Sequence, residues 1–223
     1  MSHFLENGYL ISEKVFEAAE MDSLFKRLGV LIGEPERPGY RHLMADPAVR
    51  ILARDRRLTA LVENITGKRL IPFKATLFNK AGKANWLVAW HQDTTLPVVR
   101  PPSSNDWGIA TIKDGITFCQ APARVLREIV ALRIHIDDSG PDNGPLRLIP
   151  GSDKERLSDK EIDRAVTDGP QVTCTLGRGG VIAMSPLIVH ASSKCTSDRP
   201  RRVLHIEYAP SFDIDAGVRL SIA

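Results

Sequence analysis

Cysteine is scarce in this chain: Cys119, Cys174 and Cys195 lie far apart, with no C-x-x-C spacing. An odd number of separated thiols makes no disulfide framework and points to a reducing compartment. An excess of one charge is also lacking, with 30 basic against 27 acidic residues, a net +3 and no basic cluster. That excludes the electrostatic footprint of a nucleic-acid binder, and the pI of 8.8 gives at most a slight preference for anionic small substrates. Long apolar runs are missing as well. Nothing approaches the roughly 18 residues of a membrane span, and the first residues, MSHFLENGYLISEKVF, carry Glu6 and Glu13 instead of a signal-peptide apolar region. There is no internal repeat and no low-complexity segment. These absences point to a soluble, cytoplasmic protein, without nucleic acid or membrane. They carry no signature of oligomeric state.

What is present is 223 residues with 43% hydrophobic content, enough for one domain with one sizeable core. Residues 1–68 are expected to form a mostly helical flank and 69–223 a β-barrel core with insertions. Residues 4–11 read as a short strand or extended entry. Ser12 can cap a first helix with Val15, Phe16, Ala19, Leu24, Phe25 and Leu28 at helical spacing, stopped by Gly29. Residues 33–40 read as a loop. Asp46-Pro47 starts a second helix, whose apolar face (Ile51, Leu52, Leu58, Leu61, Val62, Ile65) ends at Gly67. The pattern then turns to short β segments at 70–78, 87–90, 129–136, 146–149, 171–176, 181–184 and 203–208, separated by Gly/Pro turns. A long irregular loop is expected at 97–108, and a capped helix at 158–166. Helices first and many short strands after them argue for a mainly β fold with flanking helices, a sandwich or barrel.

The chemistry gathers at Trp90-His91-Gln92-Asp93. In a strand, residues two apart share a face, so His91 and Asp93 can offer an imidazole and a carboxylate to one space. A third ligand completes the two-His, one-carboxylate face that suits non-haem Fe(II). An H-x-D pair alone is weak evidence. Its context strengthens it: the pair ends a β-rich run, and His190 follows the apolar segment Val181–Val189, where a buried imidazole needs a partner such as a metal. Eleven residues on, Arg201 opens the last long strand. If it points inward with Val203 and His205, its guanidinium calls for an anion that a carboxylate co-substrate would supply bidentately. Arg202, Leu204, Ile206 and Tyr208 would take the other face.

The segments W-H-Q-D (90–93), N-G-P-L-R-L-I-P-G-S (143–152), S-P-L-I-V-H-A-S (185–192) and R-R-V-L-H-I-E-Y (201–208) together resemble the phytanoyl-CoA dioxygenase family, and E-N-G-Y-L (6–10) resembles its N-terminal strand. The resemblance implies a double-stranded β-helix, the cupin-like jelly-roll barrel. It also implies an Fe(II)- and 2-oxoglutarate-dependent dioxygenase that uses O2, hydroxylates a small organic substrate and releases succinate and CO2. By it, His91, Asp93 and His190 would ligate iron as the catalytic set, and Arg201 would pair with the C5 carboxylate of 2-oxoglutarate. Ser192 would hydrogen-bond the co-substrate, and Thr76 and Arg133 would line its pocket. The ordinary alternatives are a loop serine at 192 and a solvated strand arginine at 133. The lysine that some members direct at 2-oxoglutarate has no secure match, Arg41 being the nearest candidate. Asp153 stands where relatives often have His after P-G-S. Asp93 supplies the carboxylate that related halogenases lack, which disfavours halogenation. Trp86, Trp90 and Trp107 could line a substrate mouth or simply pack. A second reading keeps the fold and metal without 2-oxoglutarate turnover, as a cupin-like metal-binding protein or degenerate relative.

Overall fold

The computed structural model describes residues 2–29, 37–80 and 85–223. Helices α1 (Ser2–Asn7) and α2 (Ala18–Gly29) bracket strand β1 (Tyr9–Ser12), and β2 (Gly39–Tyr40) leads through a 3-10 turn to α3 (Pro47–Leu52) and α4 (Arg56–Thr66). Then come β3 (Ile71–Lys80), β4 (Val88–His91), β5 (Thr95–Val98), β6 (Ala110–Lys113), β7 (Ile116–Gln120), the short α5 (Ala123–Leu126), β8 (Val130–His135) and β9 (Leu146–Leu148). Helix α6 (Asp159–Asp168) precedes β10 (Val172–Cys174), β11 (Val181–Met184), β12 (His190–Ser192), β13 (Arg201–Ala209), β14 (Asp213–Asp215) and β15 (Val218–Arg219).

Several local expectations are revised. Residues 4–7 are the end of a helix rather than extended chain. Gly8, at φ +76°, closes it with its N–H on the Phe4 carbonyl before β1 begins. The first long helix starts at Ala18, so Val15 and Phe16 lie in the turn before it. The helical stretch after Asp46 is two helices, because the Asp55 carboxylate caps a new start through the Arg57 N–H. Ile51 is thereby left exposed. Part of the 97–108 loop is β5, where Pro97 fits because β5 is an edge strand that needs no N–H there. Of the loop expected at 33–40, residues 33–36 lie outside the described residues, and Gly39 and Tyr40 are β2.

The strands form a six-stranded sheet in the order β1-β11-β8-β13-β3-β2 and a four-stranded sheet β10-β9-β12-β4, with a three-stranded sheet β5-β7-β6 and the β14-β15 hairpin beside them. All pairs are antiparallel. This is the mainly β, double-stranded β-helix arrangement with a helical flank.

The three central strands of the large sheet have two unlike faces. Ala75, Leu77, Leu132, Ile134, Leu204, Ile206 and Tyr208 pack outward against Met21, Leu24, Leu58, Val62 and Ile65 of the helices. Burying each leucine, isoleucine, valine or methionine of this layer contributes about 1.5–3 kcal/mol. The Tyr208 hydroxyl donates to the Ala53 carbonyl at 2.9 Å, tying the sheet to the helical layer. The inner face is polar, and the register builds it row by row. Arg201 lies opposite Lys80, His205 between Thr76 and Arg133, and Glu207 opposite Lys74. The small sheet faces this row and carries His91 directly opposite His190. At one end, Leu146, Leu148, Ala131, Ile182, Met184 and Ile188 close the space between the sheets with an apolar plug.

Candidate functional site

His91 is the last residue of β4 and His190 the first of β12, and antiparallel pairing sets their rings 4.2 Å apart. Asp93 lies just past the strand end, so strand periodicity alone does not aim it. Its backbone N–H donates to the Pro186 carbonyl at 2.8 Å. Between the two, Gln92 turns the other way and is buried. Its amide donates to the carbonyls of Leu187 and Glu155 and accepts from the Leu157 N–H. The bend that turns Asp93 toward the histidines is therefore held from both sides.

The Asp93 carboxylate lies 3.6 Å from Nε2 of His91 and 3.6 Å from Nε2 of His190. One ligand atom from each of the three residues falls within 4.8 Å of the others, so the three could hold one metal ion. Both imidazoles place Nδ1 on a carbonyl, His91 on Ala89 at 2.8 Å and His190 on Ile188 at 2.9 Å. A carbonyl only accepts, so Nδ1 carries the proton, and each Nε2 lone pair is free toward the common centre. That is the tautomer metal binding requires. Burial brings the His190 pKa down to about 4 against the pull of Asp93, keeping the ring neutral. At His91 burial acts in the same direction, but the Asp93 carboxylate outweighs it and raises the pKa. The residues fit a divalent first-row ion.

Across the interior three cations converge with no ion-pair partner among the described residues, although the Asp93 carboxylate in the same cleft acts on Arg133. Arg201, at 2% exposure, donates from Nε to the Asn143 carbonyl at 3.2 Å and from Nη2 to Ser192 Oγ at 3.1 Å. Lys80, at 1% exposure, donates to Ser192 Oγ at 2.7 Å and to the Ser193 carbonyl. Arg133 is buried, with Nη1 3.3 Å from His205 Nδ1, and its Nε has no hydrogen-bond partner among the described residues. None of the three forms an ion pair among the described residues, and all three line the same cleft as His91, Asp93 and His190. Burial takes the pKa of Arg201 down to about 10, with Arg133 adding to the effect, and takes that of Arg133 to about 10. For Lys80, burial and then Arg201 bring it to about 8. Buried cations this close repel one another and cost free energy until an anion joins them.

Ser192 organises two of these cations. Its oxygen accepts from Lys80 and Arg201, while its own hydroxyl donates to the Gly144 carbonyl at 2.8 Å. Gly144 is required there: its φ is +69°, and a Cβ would stand 2.4 Å from the Ser193 carbonyl oxygen. Thr76 faces inward and lines an adjoining cavity of about 270 Å³ that shares Asp93, Phe78 and Trp86 with this cleft. His205 bridges Arg133 to Glu207: its Nδ1 lies 3.3 Å from Arg133 Nη1, and its Nε2 lies 3.2 Å from the Glu207 carboxylate. Glu207 also takes a 2.6 Å ion pair from Lys74. Arg133 is thus buried on the inner face, not solvated.

Sequence reasoning missed Lys80. A lysine at the end of a strand reads as a solvated terminus, and only its position opposite Arg201 in the sheet register puts it inside. Arg41, the nearest sequence candidate for that lysine, is about half exposed on the rim of the neighbouring cavity. Of the tryptophans, Trp86 lines both cavities. Trp90 packs beside Val189 and α6, and Trp107 is buried with its Nε1–H on Asp215.

No curated protein sequence matches the chain. Among solved structures, EctD from S. alaskensis with bound Fe superposes with a TM-score of 0.72 at 20% identity, over 93% of this chain and 74% of that one. The non-heme alpha ketoglutarate dependent carbocyclase SnoK from nogalamycin biosynthesis superposes with a TM-score of 0.74 at 16% identity, over 100% of this chain and 85% of its own. The epimerase SnoN, in complex with Fe3+, alpha ketoglutarate and nogalamycin RO, gives 0.73 at 17% identity, over 95% and 82%. At such identities the likeness is one of fold. The sequence profile of the phytanoyl-CoA dioxygenase (PhyH) family matches residues 4–203, nearly the whole length, and this chain belongs to that family.

Proposed function

We propose that the protein is an Fe(II)- and 2-oxoglutarate-dependent dioxygenase that hydroxylates a small organic substrate and releases succinate and CO2, the whole chain working as one domain. The observation that carries this reading is the pairing of two half-sites across one cleft: a His/Asp/His cluster with converging lone pairs, and three buried cations with no ion-pair partner among the described residues. His91, Asp93 and His190 would hold the iron. Arg201 and Lys80, steadied by Ser192, would take the distal carboxylate of 2-oxoglutarate, with Arg133 adding positive potential along its length.

When bound, the iron with O2 supplies the oxidising chemistry, coupling decarboxylation of 2-oxoglutarate to oxygen insertion into a C–H bond. The chain's own part is orientation and electrostatics. Lys74 is paired with Glu207, so Lys80, Arg133 and Arg201, together with the charge of a bound divalent ion on Asp93, would give the positive potential that a dianion meets. Nδ1–H of each ligand histidine stays on its carbonyl, so neither ring acts as a proton carrier. A cupin-like metal-binding protein or degenerate relative gives no reason for three unpaired buried cations beside the metal ligands.

The test is anaerobic titration of the Fe(II)-loaded protein with 2-oxoglutarate, following the visible metal-to-ligand charge-transfer band, with Arg201→Ala alongside. A band that saturates in the wild type and needs far more 2-oxoglutarate in the variant supports the reading. Iron binding without a band rejects it in favour of a metal protein that does not use 2-oxoglutarate.

A further inference from the structure

The cavity of about 270 Å³ adjoins the Arg201 pocket, sharing Phe78, Trp86 and Asp93 with it, and its rim is built from two segments distant in sequence. One is Arg41-His42, just after β2. The other is the tip of the β6-β7 hairpin, Lys113-Asp114. They meet where the Asp114 carboxylate lies 3.7 Å from Arg41 and 3.9 Å from His42 Nε2. Asp114 and Gly115, at φ 49° and 81°, form the two-residue turn of that hairpin, which fixes where the Asp114 carboxylate stands, and His42 holds left-handed backbone at φ 62°.

The rim is polar and under-partnered. Both ring nitrogens of His42 are buried, yet neither has a hydrogen-bond partner among the described residues. Lys113 makes no ion pair and no hydrogen bond there; its ammonium rests 5.3 Å from the centre of the Phe118 ring. Arg41 and Asp114 are both more than half exposed, and a loose surface pair of this kind is worth about 0–1 kcal/mol, too little to hold Arg41 against a better anion. Deeper in, Lys74 is already neutralised by Glu207. The free positive charge therefore belongs to the rim, with the Phe118 and Trp86 rings along the wall and Asp93 at the inner end.

Building on the oxygenase reading, we propose that the substrate is a small organic anion, a carboxylate or a phosphate ester. Its charged head is taken by Lys113 and Arg41, beside the buried ring nitrogens of His42, while its carbon skeleton lies along Phe118 and Trp86 toward Asp93. Both heads present the same chemistry to a lysine and an arginine: oxygens carrying negative charge, able to accept several N–H donors. The arrangement keeps the substrate's charge on Arg41 and Lys113, which do not line the pocket of Arg201 and Lys80, so substrate and co-substrate would not compete for one set of cations.

The test uses metal-free protein and three matched probes, phenylacetate, phenyl phosphate and the neutral phenylacetamide, titrated calorimetrically. At least one anion is expected to bind ten times or more tighter than the amide; which of the two does so distinguishes a carboxylate site from a phosphate site. That preference should disappear in the Arg41→Gln/Lys113→Gln double variant, whose thermal midpoint should match wild type, and persist in Arg201→Ala. Three results overturn the proposal: the amide binding as well as the anions, none of the probes binding, or anion binding lost in Arg201→Ala and kept in the double variant. The last would mean that the probes occupy the co-substrate pocket. None of these titrations involves iron or 2-oxoglutarate, so failure of the oxygenase reading would show separately, in the charge-transfer experiment.

Discussion

Replacing Lys80 by methionine keeps most of the side chain's length and apolar bulk while removing the ammonium group from the Ser192-Ser193 corner. Two opposed effects on stability follow. The half-buried Ser193 carbonyl loses its Lys80 donor, at a cost of at most about 1–3 kcal/mol, the penalty for a fully buried group left unmet. Against that, a cation at 1% exposure, crowded by Arg201, is no longer buried, and an uncompensated buried charge costs several kcal/mol. The thermal midpoint of the ligand-free variant should therefore stay level or rise. Binding of 2-oxoglutarate should behave differently. Truncating one partner of a buried charged pair costs about 2–5 kcal/mol, which is roughly 30-fold to several-thousand-fold in Kd.

The wild type adds a pH signature. With its pKa brought to about 8 by burial and by Arg201, Lys80 loses its charge in the free protein as pH rises through that value. Affinity for 2-oxoglutarate should then weaken above about pH 8 in the wild type, and Lys80→Met should lack that dependence. Stability has the opposite sign: between about 8 and the ordinary lysine value of 10.5 the unfolded chain binds more protons, so the ligand-free protein gains stability with pH. The assays are anaerobic Fe(II)/2-oxoglutarate titration and thermal unfolding across pH. Unchanged affinity together with a lowered midpoint would refute the reasoning, since Lys80 would then be a strut between β3 and the 192–193 segment.

Two further predictions test the interior. Glu207→Gln removes the only carboxylate paired with Lys74 among the described residues. Breaking a buried pair costs about 3–5 kcal/mol, or roughly 6–20 °C in thermal midpoint for a chain of this size. The deficit should shrink at alkaline pH, where the stranded Lys74 can shed its proton; a constant deficit would mean the loss is not electrostatic. Gly144→Ala should lower the midpoint by several degrees, because left-handed strain of about 1–3 kcal/mol adds to a Cβ 2.4 Å from the Ser193 oxygen. It should also weaken 2-oxoglutarate binding, since the Gly144 carbonyl anchors Ser192 and through it Lys80 and Arg201. A variant as stable and as tight-binding as wild type would show that this corner can move freely.

Much of the molecule was readable in the order of its residues. Alternation along 201–208 separates Arg201, Val203 and His205 from Leu204, Ile206 and Tyr208, and the sheet buries the second set under the helices as that pattern requires. Spacing brings His91 and Asp93 near one another, because two residues of chain cannot carry them far apart. His190 was legible as a histidine in apolar company. What no local pattern contains is the partner of each strand. Register between β13 and β3, residues more than a hundred apart in the chain, puts Lys80 beside Arg201 and so converts a strand-end lysine into a buried cation. Pairing of β8 with β13 turns Arg133 inward onto His205, where a single strand could equally have faced solvent. The rim of Arg41, His42, Lys113 and Asp114 exists only because a hairpin tip meets the segment after β2. Sequence by itself determined the two-faced strands and the metal-ligand types, since periodicity and donor chemistry are local properties. Tertiary structure decided which charges are buried together, because burial belongs to what packs across from a residue and not to the residue itself.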